Sequence, residues 1–209
     1  KPTLSKEVAF QRFGLDPKQR TIALLPGSRM HEVKRLLPPL LASAQLLQKE
    51  SPDLQFIIPL APGILQGTLS PWIRNISVPL KVVEGWTYDV MNISELLITA
   101  SGTATLEAAI LGKPMVIVYK VSFFSYWIGR ALIQVDHIGL VNLVAGKEIV
   151  PELIQKDVNP QRIAEEALRI LRDPILRRRM SESMAGVRES LGEPGAAQRA
   201  AAIVMSLLQ

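Results

Sequence analysis

A small-residue turn between a predicted strand and a predicted helix has the residue types best suited to bind a diphosphate. The apolar run that ends at Thr99 leads into Ser101, Gly102 and Thr103, where a helical pattern begins. Backbone N–H groups at a helix start lack intrahelical partners and carry partial positive charge, which favours an anion. Ser101 and Thr103 add hydroxyl donors, and Gly102 lets a ligand approach the backbone. We therefore predict a phosphate-binding turn.

Glu107 lies four residues beyond Thr103, about one turn into the same predicted helix. A carboxylate there can accept hydrogen bonds from ribose hydroxyls, as an acidic residue does in dinucleotide-binding folds. Together with the turn, Glu107 predicts a site for a nucleotide diphosphate. The alternative is an ordinary strand–helix connection, in which Ser or Thr caps the helix and the glutamate completes a capping box.

A second turn with phosphate-binding chemistry follows the strand predicted at residues 21–25. It contains Gly27, Ser28 and Arg29. Arginine can bind phosphate through two parallel hydrogen bonds, and its charge can offset that of a leaving diphosphate. The alternative for Arg29 is a surface ion pair with Glu32. We favour phosphate binding, because the turn ends a strand and also supplies Gly and Ser.

Two further positions are candidates for the same site. Gly85 lies in the turn that follows the strand predicted at residues 80–83. Asn142 lies between apolar neighbours, where a buried amide needs hydrogen-bond partners. The Asn142 side chain is a candidate to hold a phosphate or a sugar hydroxyl, and the alternative is a strand-end Asn that bonds nearby backbone.

Strands alternate with helices along the chain, which predicts an α/β fold. The predicted strands lie at residues 21–25, 55–58, 80–83, 95–99 and 115–119. This alternation indicates right-handed βαβ units, and hence a Rossmann-like parallel sheet with helices on both faces. Ligands in such sheets bind beyond the carboxyl ends of the strands. The three turns should therefore meet at one edge of the sheet.

The helical parts of the chain carry two further predictions. An apolar helical face runs from Val33 to Leu47, but Pro38 and Pro39 interrupt it, so we predict two helical pieces. Beyond Asn142 the chain is predicted to be mostly helical. One of these helices starts at an Asn-Pro pair, a favourable arrangement for a helix beginning.

Composition narrows the possible functions. The chain has 209 residues, of which 48% are hydrophobic and 21% charged, as in a globular protein with a substantial core. It has no cysteine, two distant histidines and no Asp-x-Asp pair, so we expect neither a metal nor a cofactor. The net charge of +5 and the pI near 9.6 favour anionic partners such as nucleotides or an anionic membrane surface.

The densest aromatic cluster contains Phe123, Phe124, Tyr126 and Trp127, with Arg130 just beyond. A helix with this composition can lie in a lipid interface or contact an acyl chain, with its arginine near the headgroups. The alternative is a core helix that packs on the sheet. Phe123, Trp127 and Arg130 share one helical face, so we keep these three as candidates for a membrane or acyl contact.

Four segments of the chain resemble the lipid-A-disaccharide synthase family, in the same order along the sequence. They lie at residues 25–33, 100–107, 112–116 and 138–146. The Ser-Gly-Thr…Glu pattern alone recurs across nucleotide-sugar enzymes. The combination of the Pro-Gly-Ser-Arg turn with the Asn-Leu-Val-Ala-Gly segment is specific.

The resemblance implies an inverting, metal-independent glycosyltransferase of GT-B architecture, in which two Rossmann-like domains face a cleft. Members of the family transfer 2,3-diacylglucosamine from UDP to 2,3-diacylglucosamine 1-phosphate, form a β-1′,6 disaccharide and release UDP. They work in lipid A synthesis at the inner membrane of Gram-negative bacteria. By the same resemblance, Arg29, Glu107 and Asn142 fall on donor-binding positions.

The resemblance also implies that the chain is the donor-binding half of a longer enzyme. It begins without Met, and the acceptor domain that is expected to hold the general base is missing. We therefore expect it to bind UDP without turnover and to contain no catalytic residue. Residues 1–20 are predicted to be a linker, residues 21–172 the nucleotide-sugar domain and residues 173–209 the C-terminal helices.

The expected partners are the two lipid substrates and an anionic membrane surface, with no nucleic acid, and a homodimer is one expectation for the assembly. We expect a cytoplasmic enzyme held peripherally on the inner membrane. Two other functions stay open. One is the nucleotide domain of another GT-B enzyme or of a UDP-sugar 2-epimerase. The other is a non-catalytic module that binds anionic lipid.

Overall fold

The computed structural model describes residues 1–122, 136–193 and 195–206, and the strands in these ranges form one parallel sheet. They are β1 (Arg20–Leu25), β2 (Leu54–Leu60), β3 (Leu80–Glu84), β4 (Leu96–Ala100), β5 (Met115–Tyr119) and β6 (Glu152–Ile154). The order is β3-β2-β1-β4-β5-β6, and each neighbouring pair is parallel. In this doubly wound arrangement, successive strands are added on one side from β1 to β3 and on the other side from β4 to β6, so the strand order reverses between β1 and β4. The predicted Rossmann-like sheet is confirmed.

Helices cover this sheet. In the described ranges they are α1 (Lys6–Phe13), α2 (Met30–Glu50), α3 (Ser70–Ile73), α4 (Thr87–Ile93), α5 (Thr103–Ile110), α6 (Leu140–Ala145), α7 (Pro160–Arg172), α8 (Pro174–Ser190) and α9 (Ala196–Ser206). Helix α2 packs against α7, while α5 and α6 pack against α8. Strands β2 and β4 are buried along their whole length, as expected for parallel strands covered on both faces.

Helix α2 is continuous, so the prediction of two helical pieces was wrong. Pro38 and Pro39 lie inside it. Each proline frees the carbonyl four residues earlier, at Lys34 and Arg35, and both of those residues are exposed, so water can bond their carbonyls. A proline inside a helix costs about 3 kcal/mol, whereas each buried aliphatic side chain contributes roughly 1.5–3 kcal/mol. The buried face holds the helix together: Val33, Leu36, Leu37, Leu40, Leu41, Ala44 and Leu47.

The region beyond Asn142 contains a strand that the sequence patterns did not predict. Strand β6 has three residues and pairs with β5 at one side of the sheet. A run this short shows no clear alternation of apolar and polar residues, so a mostly helical prediction missed it. Asn142 itself lies inside α6. The alternative that placed it at the end of a strand is therefore also incorrect in its secondary structure.

The segment before β1, predicted to be a linker, contains α1, which packs against α4. Ala9 and Phe13 of α1 are buried in the core. Asp89 of α4 is only 4% exposed, and it accepts hydrogen bonds from the backbone N–H groups of Thr3 and Leu4, each at 2.7 Å. This segment is thus anchored to the body of the domain, while the predicted domain boundary at residue 20 stays a prediction.

Candidate functional site

The candidate site lies at the carboxyl ends of β1 and β4, where the strand order reverses. These two strands are neighbours, with Leu25 opposite Thr99 in the register. The turn at residues 27–29 follows β1, and the turn at residues 101–103 follows β4. Doubly wound sheets form a crevice at such a switch point. The two turns with the strongest phosphate-binding chemistry therefore flank the switch point, where such a crevice is expected.

The turn after β4 presents the start of α5 to this crevice. Gly102 is the N-cap residue, and no side chain caps the first amides of the helix among the described residues. The Gly102 backbone is extended, and the space that a Cβ atom would take there is open. Thr103 is exposed. Within the described ranges, the first α5 amides thus have no side-chain partner in a place where a ligand can reach them.

The Ser101 hydroxyl, predicted to bind phosphate, has a hydrogen-bond partner within the chain. Its Oγ donates a hydrogen bond to the carbonyl oxygen of Ile138 at 2.9 Å, and its backbone N–H donates to Val118 at 3.1 Å. The hydroxyl proton is therefore committed to the loop at residue 138. A contact between Ser101 and phosphate stays a prediction, and it would require this bond to be exchanged.

Glu32 organises the turn after β1. Its Oε2 accepts hydrogen bonds from the backbone N–H groups of Ser28 at 3.0 Å and Arg29 at 3.2 Å. Gly27 has a φ of 110°, and a side chain at this position would overlap Glu32. The position therefore requires glycine, because both the backbone conformation and the close contact exclude a Cβ atom.

The Arg29 guanidinium pairs with Glu32 at 3.1 Å, so the predicted alternative of a surface ion pair is present. The arginine side chain is 71% exposed. An ion pair in solvent contributes only about 0–1 kcal/mol, because hydration and side-chain entropy offset the attraction. Arg29 can therefore reorient toward an anion in the crevice at little cost.

Glu107 on α5 is bound by a tyrosine that the sequence did not single out. The Tyr88 hydroxyl donates to Glu107 Oε1 at 2.9 Å. This hydrogen bond, with smaller contributions from burial and from the carboxylate charge, raises the pKa of the Tyr88 phenol. Tyr88 lies three residues beyond Gly85, so the contact links the third predicted turn to α5 although β3 is an outer strand of the sheet.

Trp86, next to Gly85, is held by the N-terminal helix. It adopts a left-handed backbone conformation with a φ of 58°, which is unusual for a bulky side chain. The guanidinium carbon of Arg12 lies 4.4 Å from the centre of its ring, and the Phe13 ring centre lies 6.4 Å away. Helix α1 thereby fixes the turn that leads into α4.

Asn142 is completely buried, and other parts of the chain occupy its amide. Its Nδ2 donates to the carbonyl of Val150 at 2.8 Å and to Glu152 Oε1 at 2.7 Å. Its Oδ1 accepts from the backbone N–H groups of Ile149 at 2.8 Å and Val150 at 3.1 Å. This pattern favours the structural alternative, an Asn that bonds nearby backbone. A direct donor contact by Asn142 stays a prediction.

Glu152 completes this network and had no motif to reveal it in the sequence. Its Oε2 accepts from the N–H of Ile138 at 2.8 Å, and its Oε1 accepts from the N–H of Gly139 at 3.0 Å. A side chain at Gly139 would overlap Ile117. Since Ser101 also bonds the Ile138 carbonyl, Glu152 fixes the segment that borders the turn before α5.

Other predictions fall outside this site. Phe123, Trp127 and Arg130, the candidates for a membrane or acyl contact, lie outside the described residues. Within the described ranges, no cluster of three His, Asp or Glu side chains is arranged to hold a metal ion. None of the helices in those same ranges combines the length and the apolar character needed to cross a bilayer.

Solved structures with a similar fold belong to the class of nucleotide-sugar enzymes built from two Rossmann-like halves. UDP-GlcNAc 2-epimerase from Neisseria meningitidis, bound to UDP-GlcNAc, aligns with a TM-score of 0.61 at 17% identity, over 97% of this chain and 48% of that one. Spinosyn rhamnosyltransferase SpnG, complexed with thymidine diphosphate, gives 0.60 at 17% identity, over 92% and 46%. At such low identity the likeness shows the fold alone: one Rossmann-like half of a GT-B structure.

The sequence comparisons identify the family within this class. The family described as Lipid-A-disaccharide synthetase matches residues 2–205. Lipid-A-disaccharide synthases from Geobacter sulfurreducens and Nitrosococcus oceani are 45% and 43% identical over 208 and 209 residues, which is 100% of this chain. The chain belongs to the lipid-A-disaccharide synthase family. It spans about half, 54%, of the length of each of these relatives.

Proposed function

We propose that this chain is the UDP-binding half of an inverting glycosyltransferase. The whole enzyme would transfer 2,3-diacylglucosamine from UDP to 2,3-diacylglucosamine 1-phosphate, and it would form the β-1′,6 disaccharide of lipid A. The observation that carries the proposal is the meeting of the Arg29 turn and the start of α5 at the switch point, in a chain of this family. The acceptor site and the general base are assigned to the part of the enzyme outside this chain.

The proposed reaction develops negative charge on the leaving diphosphate, next to the Arg29 guanidinium and the first amides of α5. The acceptor 6-hydroxyl attacks C1 of the donor sugar, the bond from C1 to the β-phosphate oxygen breaks, and its electron pair leaves with UDP. The acceptor proton passes to the general base. The Arg29 guanidinium and the uncapped α5 amides would stabilise the negative charge that develops on the diphosphate. Glu107 would accept hydrogen bonds from the ribose hydroxyls.

The first test is UDP binding to the 209-residue chain by isothermal titration calorimetry, with and without EDTA. We expect UDP to bind equally well in both, because the proposed phosphate contacts are backbone amides and a guanidinium. UMP and uridine serve as ligands that lack one or both phosphates, and they should bind progressively more weakly. Loss of UDP binding on chelation would contradict a metal-independent site.

The second test concerns the reaction and needs the enzyme that includes the missing half. With both lipid substrates, we expect release of UDP together with a β-1′,6-linked disaccharide. Appearance of an epimerised UDP-sugar without transfer would instead favour a 2-epimerase. Binding of anionic vesicles without any UDP binding would favour the third candidate, a lipid-binding module.

We further propose that the enzyme works peripherally at the cytoplasmic face of the inner membrane. The net charge of +5 supports attraction to anionic lipid. Replacing Phe123 and Trp127 together by Ser should reduce flotation with anionic vesicles and leave UDP affinity unchanged. If the double variant unfolds instead, the two aromatic residues belong to the core, where large-to-small changes typically cost about 3–5 kcal/mol each.

A further inference from the structure

We propose that Tyr88 is a positioning residue, which holds the Glu107 carboxylate in the orientation that binds the ribose of the nucleotide. The inference deepens the proposed function and rests on it, because it requires the ribose to lie at Glu107. Tyr88 itself would not touch the reacting atoms. It would act through the hydrogen bond from its hydroxyl to Glu107 Oε1, which is 2.9 Å long.

The arrangement leaves one half of the carboxylate available. Tyr88 occupies Oε1, and Oε2 of Glu107 has no hydrogen-bond partner among the described residues. A glutamate side chain has three rotatable bonds, so ordering it upon ligand binding costs conformational entropy. A carboxylate that is already held by one oxygen has less freedom to lose. The second oxygen can then accept from the vicinal hydroxyls of a ribose, and affinity gains from this preorganisation.

Tyr88 can do this because its own backbone is fixed. The next residue, Asp89, is buried and accepts hydrogen bonds from the backbone N–H groups of Thr3 and Leu4 and from the Thr3 hydroxyl, the last at 3.1 Å. Two residues before Tyr88, the ring of Trp86 packs beneath the Arg12 guanidinium. The N-terminal segment therefore clamps the start of α4 on both sides of Tyr88.

The experiment compares two ligands that differ only in the ribose hydroxyls, UDP and 2′,3′-dideoxy-UDP. Their affinities are measured by calorimetry for the parent chain, Tyr88→Phe, Glu107→Gln and the double variant. We expect Tyr88→Phe to weaken UDP roughly three- to tenfold, as for one hydrogen bond, and to leave dideoxy-UDP unchanged. The double variant should bind UDP no more weakly than Glu107→Gln alone, because Tyr88 acts through Glu107.

A matched control removes a hydroxyl at the opposite edge of the sheet. Ser181 on α8 donates through Oγ to the carbonyl of Gly112 at 2.9 Å. Ser181→Ala should lower the melting temperature and leave both affinities unchanged. A direct readout of the Tyr88 contact is the absorbance titration of the tyrosines. The signal of the Tyr88 phenol is the one that Tyr88→Phe removes. The pKa of this phenol should be lower in Glu107→Gln than in the parent chain.

The outcomes separate the two levels of the proposal. If the parent chain does not bind UDP, the proposed function fails and the positioning role fails with it. A second outcome is that the parent binds UDP, and that Glu107→Gln loses the preference for UDP over dideoxy-UDP while Tyr88→Phe keeps it. The proposed function then stands, and the positioning role is overturned. An equal loss of both ligands in Tyr88→Phe would also overturn it, since Tyr88 would then act on the fold or on another part of the nucleotide.

Discussion

The parallel sheet has an amino edge, where its strands begin, and a carboxyl edge, where they end. The charged residues at these two edges make different kinds of contact. At the amino edge, the Lys113 ammonium is largely buried and donates to the carbonyls of Asn92 at 2.5 Å and Ser94 at 3.1 Å. Nearby, Arg177 pairs with Glu95 at 3.6 Å, and both side chains are mostly covered. The charges at this edge bind other parts of the protein, so their role is to hold the domain together.

At the carboxyl edge, the hydrogen-bonding groups are less fully used. The Arg29 side chain is 71% exposed, and its ion pair with Glu32 lies at the surface. The first amides of α5 have no side-chain cap, and one oxygen of Glu107 has no partner in the described part of the chain. An anion or a ribose can therefore bind here without displacing buried contacts.

A concave basic surface is also present at the amino edge of the sheet. A cavity of about 320 Å³ opens at the amino edge, lined by Lys113, Arg177 and Arg178 among others. Lys113 and Arg177 are mostly covered and bond carbonyl oxygens or a carboxylate, whereas Arg178, like Arg29, makes an exposed ion pair. Available hydrogen-bonding capacity at the switch point, more than charge, distinguishes the carboxyl edge, in line with the ligand sites of doubly wound sheets.

Asn142 gives the strongest test of this comparison. It belongs to the network beside the candidate site, but its amide is fully hydrogen-bonded within the protein, as the charged groups of Lys113 and Arg177 are at the amino edge. We expect Asn142→Leu to lower the free energy of unfolding by about 3 kcal/mol or more, because buried N–H and carboxylate groups lose their partners. Urea denaturation measures the change. The half-buried helix cap Asn159, changed to Ala, is the control and should cost about 1 kcal/mol. Unchanged stability with lost UDP binding would assign Asn142 to the site.

Arg29→Ala tests the carboxyl edge directly and has the next largest expected effect. A hydrogen bond to a charged group contributes about 1.5–3 kcal/mol, so UDP should bind roughly 10- to 100-fold more weakly. Uridine affinity and the melting temperature should change little, because the ion pair with Glu32 is exposed.

The matched control for Arg29 is Arg178→Ala. Arg178 is also exposed, at 74%, and pairs with Glu182 at 3.5 Å, but it lines the amino-edge cavity. The Arg178→Ala substitution removes the same charge as Arg29→Ala and should leave UDP affinity unchanged. Equal losses in the two variants would mean that UDP responds to overall charge rather than to a contact at Arg29.

Much of the fold could be predicted because its signals are local. Buried apolar runs marked β1 to β5, and the Asn159-Pro160 pair marked the start of α7, where the Asn159 side chain accepts from the third helical N–H. The continuity of α2 could not be predicted, since burial of one whole face outweighs the cost of Pro38 and Pro39. Strand β6 has no local signal and forms because β5 offers an edge to pair with.

The candidate site divides in the same way. The turns that contain Arg29 and Gly102 were found because glycine, hydroxyl and basic residues follow strands directly. The hydrogen bond between Tyr88 and Glu107 joins residues 19 positions apart and depends on where α4 lies relative to α5. The hydrogen bond from the N–H of Ile138 to Glu152 likewise depends on the pairing of β6, which contains Glu152, with β5. Such long-range contacts have no counterpart in sequence spacing.

The smallest expected effect is a pH dependence that belongs to the amino edge. Burial lowers the pKa of Lys113 to about 8, the nearby Lys6 charge acts in the same direction, and Glu95 opposes it. The folded chain therefore holds this proton less tightly than the unfolded chain, in which the pKa has its ordinary value of 10.5. Since the unfolded state binds more protons between these values, the Lys113 contribution to stability rises as the pH increases from about 8 to about 10.5.

Lys113→Met removes the titrating group, so the rise in unfolding free energy between pH 7.5 and 9.5 should become smaller. The parent and both lysine variants keep Tyr88, so its raised pKa does not distinguish their slopes. The control is Lys147→Met, at an exposed lysine, which should keep the parent slope. UDP affinity should be the same in both variants, since neither lysine lies at the carboxyl-edge site. If Lys113→Met kept the parent slope, the buried lysine would not be the source of the pH dependence, and the amino edge would be more open to solvent than its hydrogen bonds indicate.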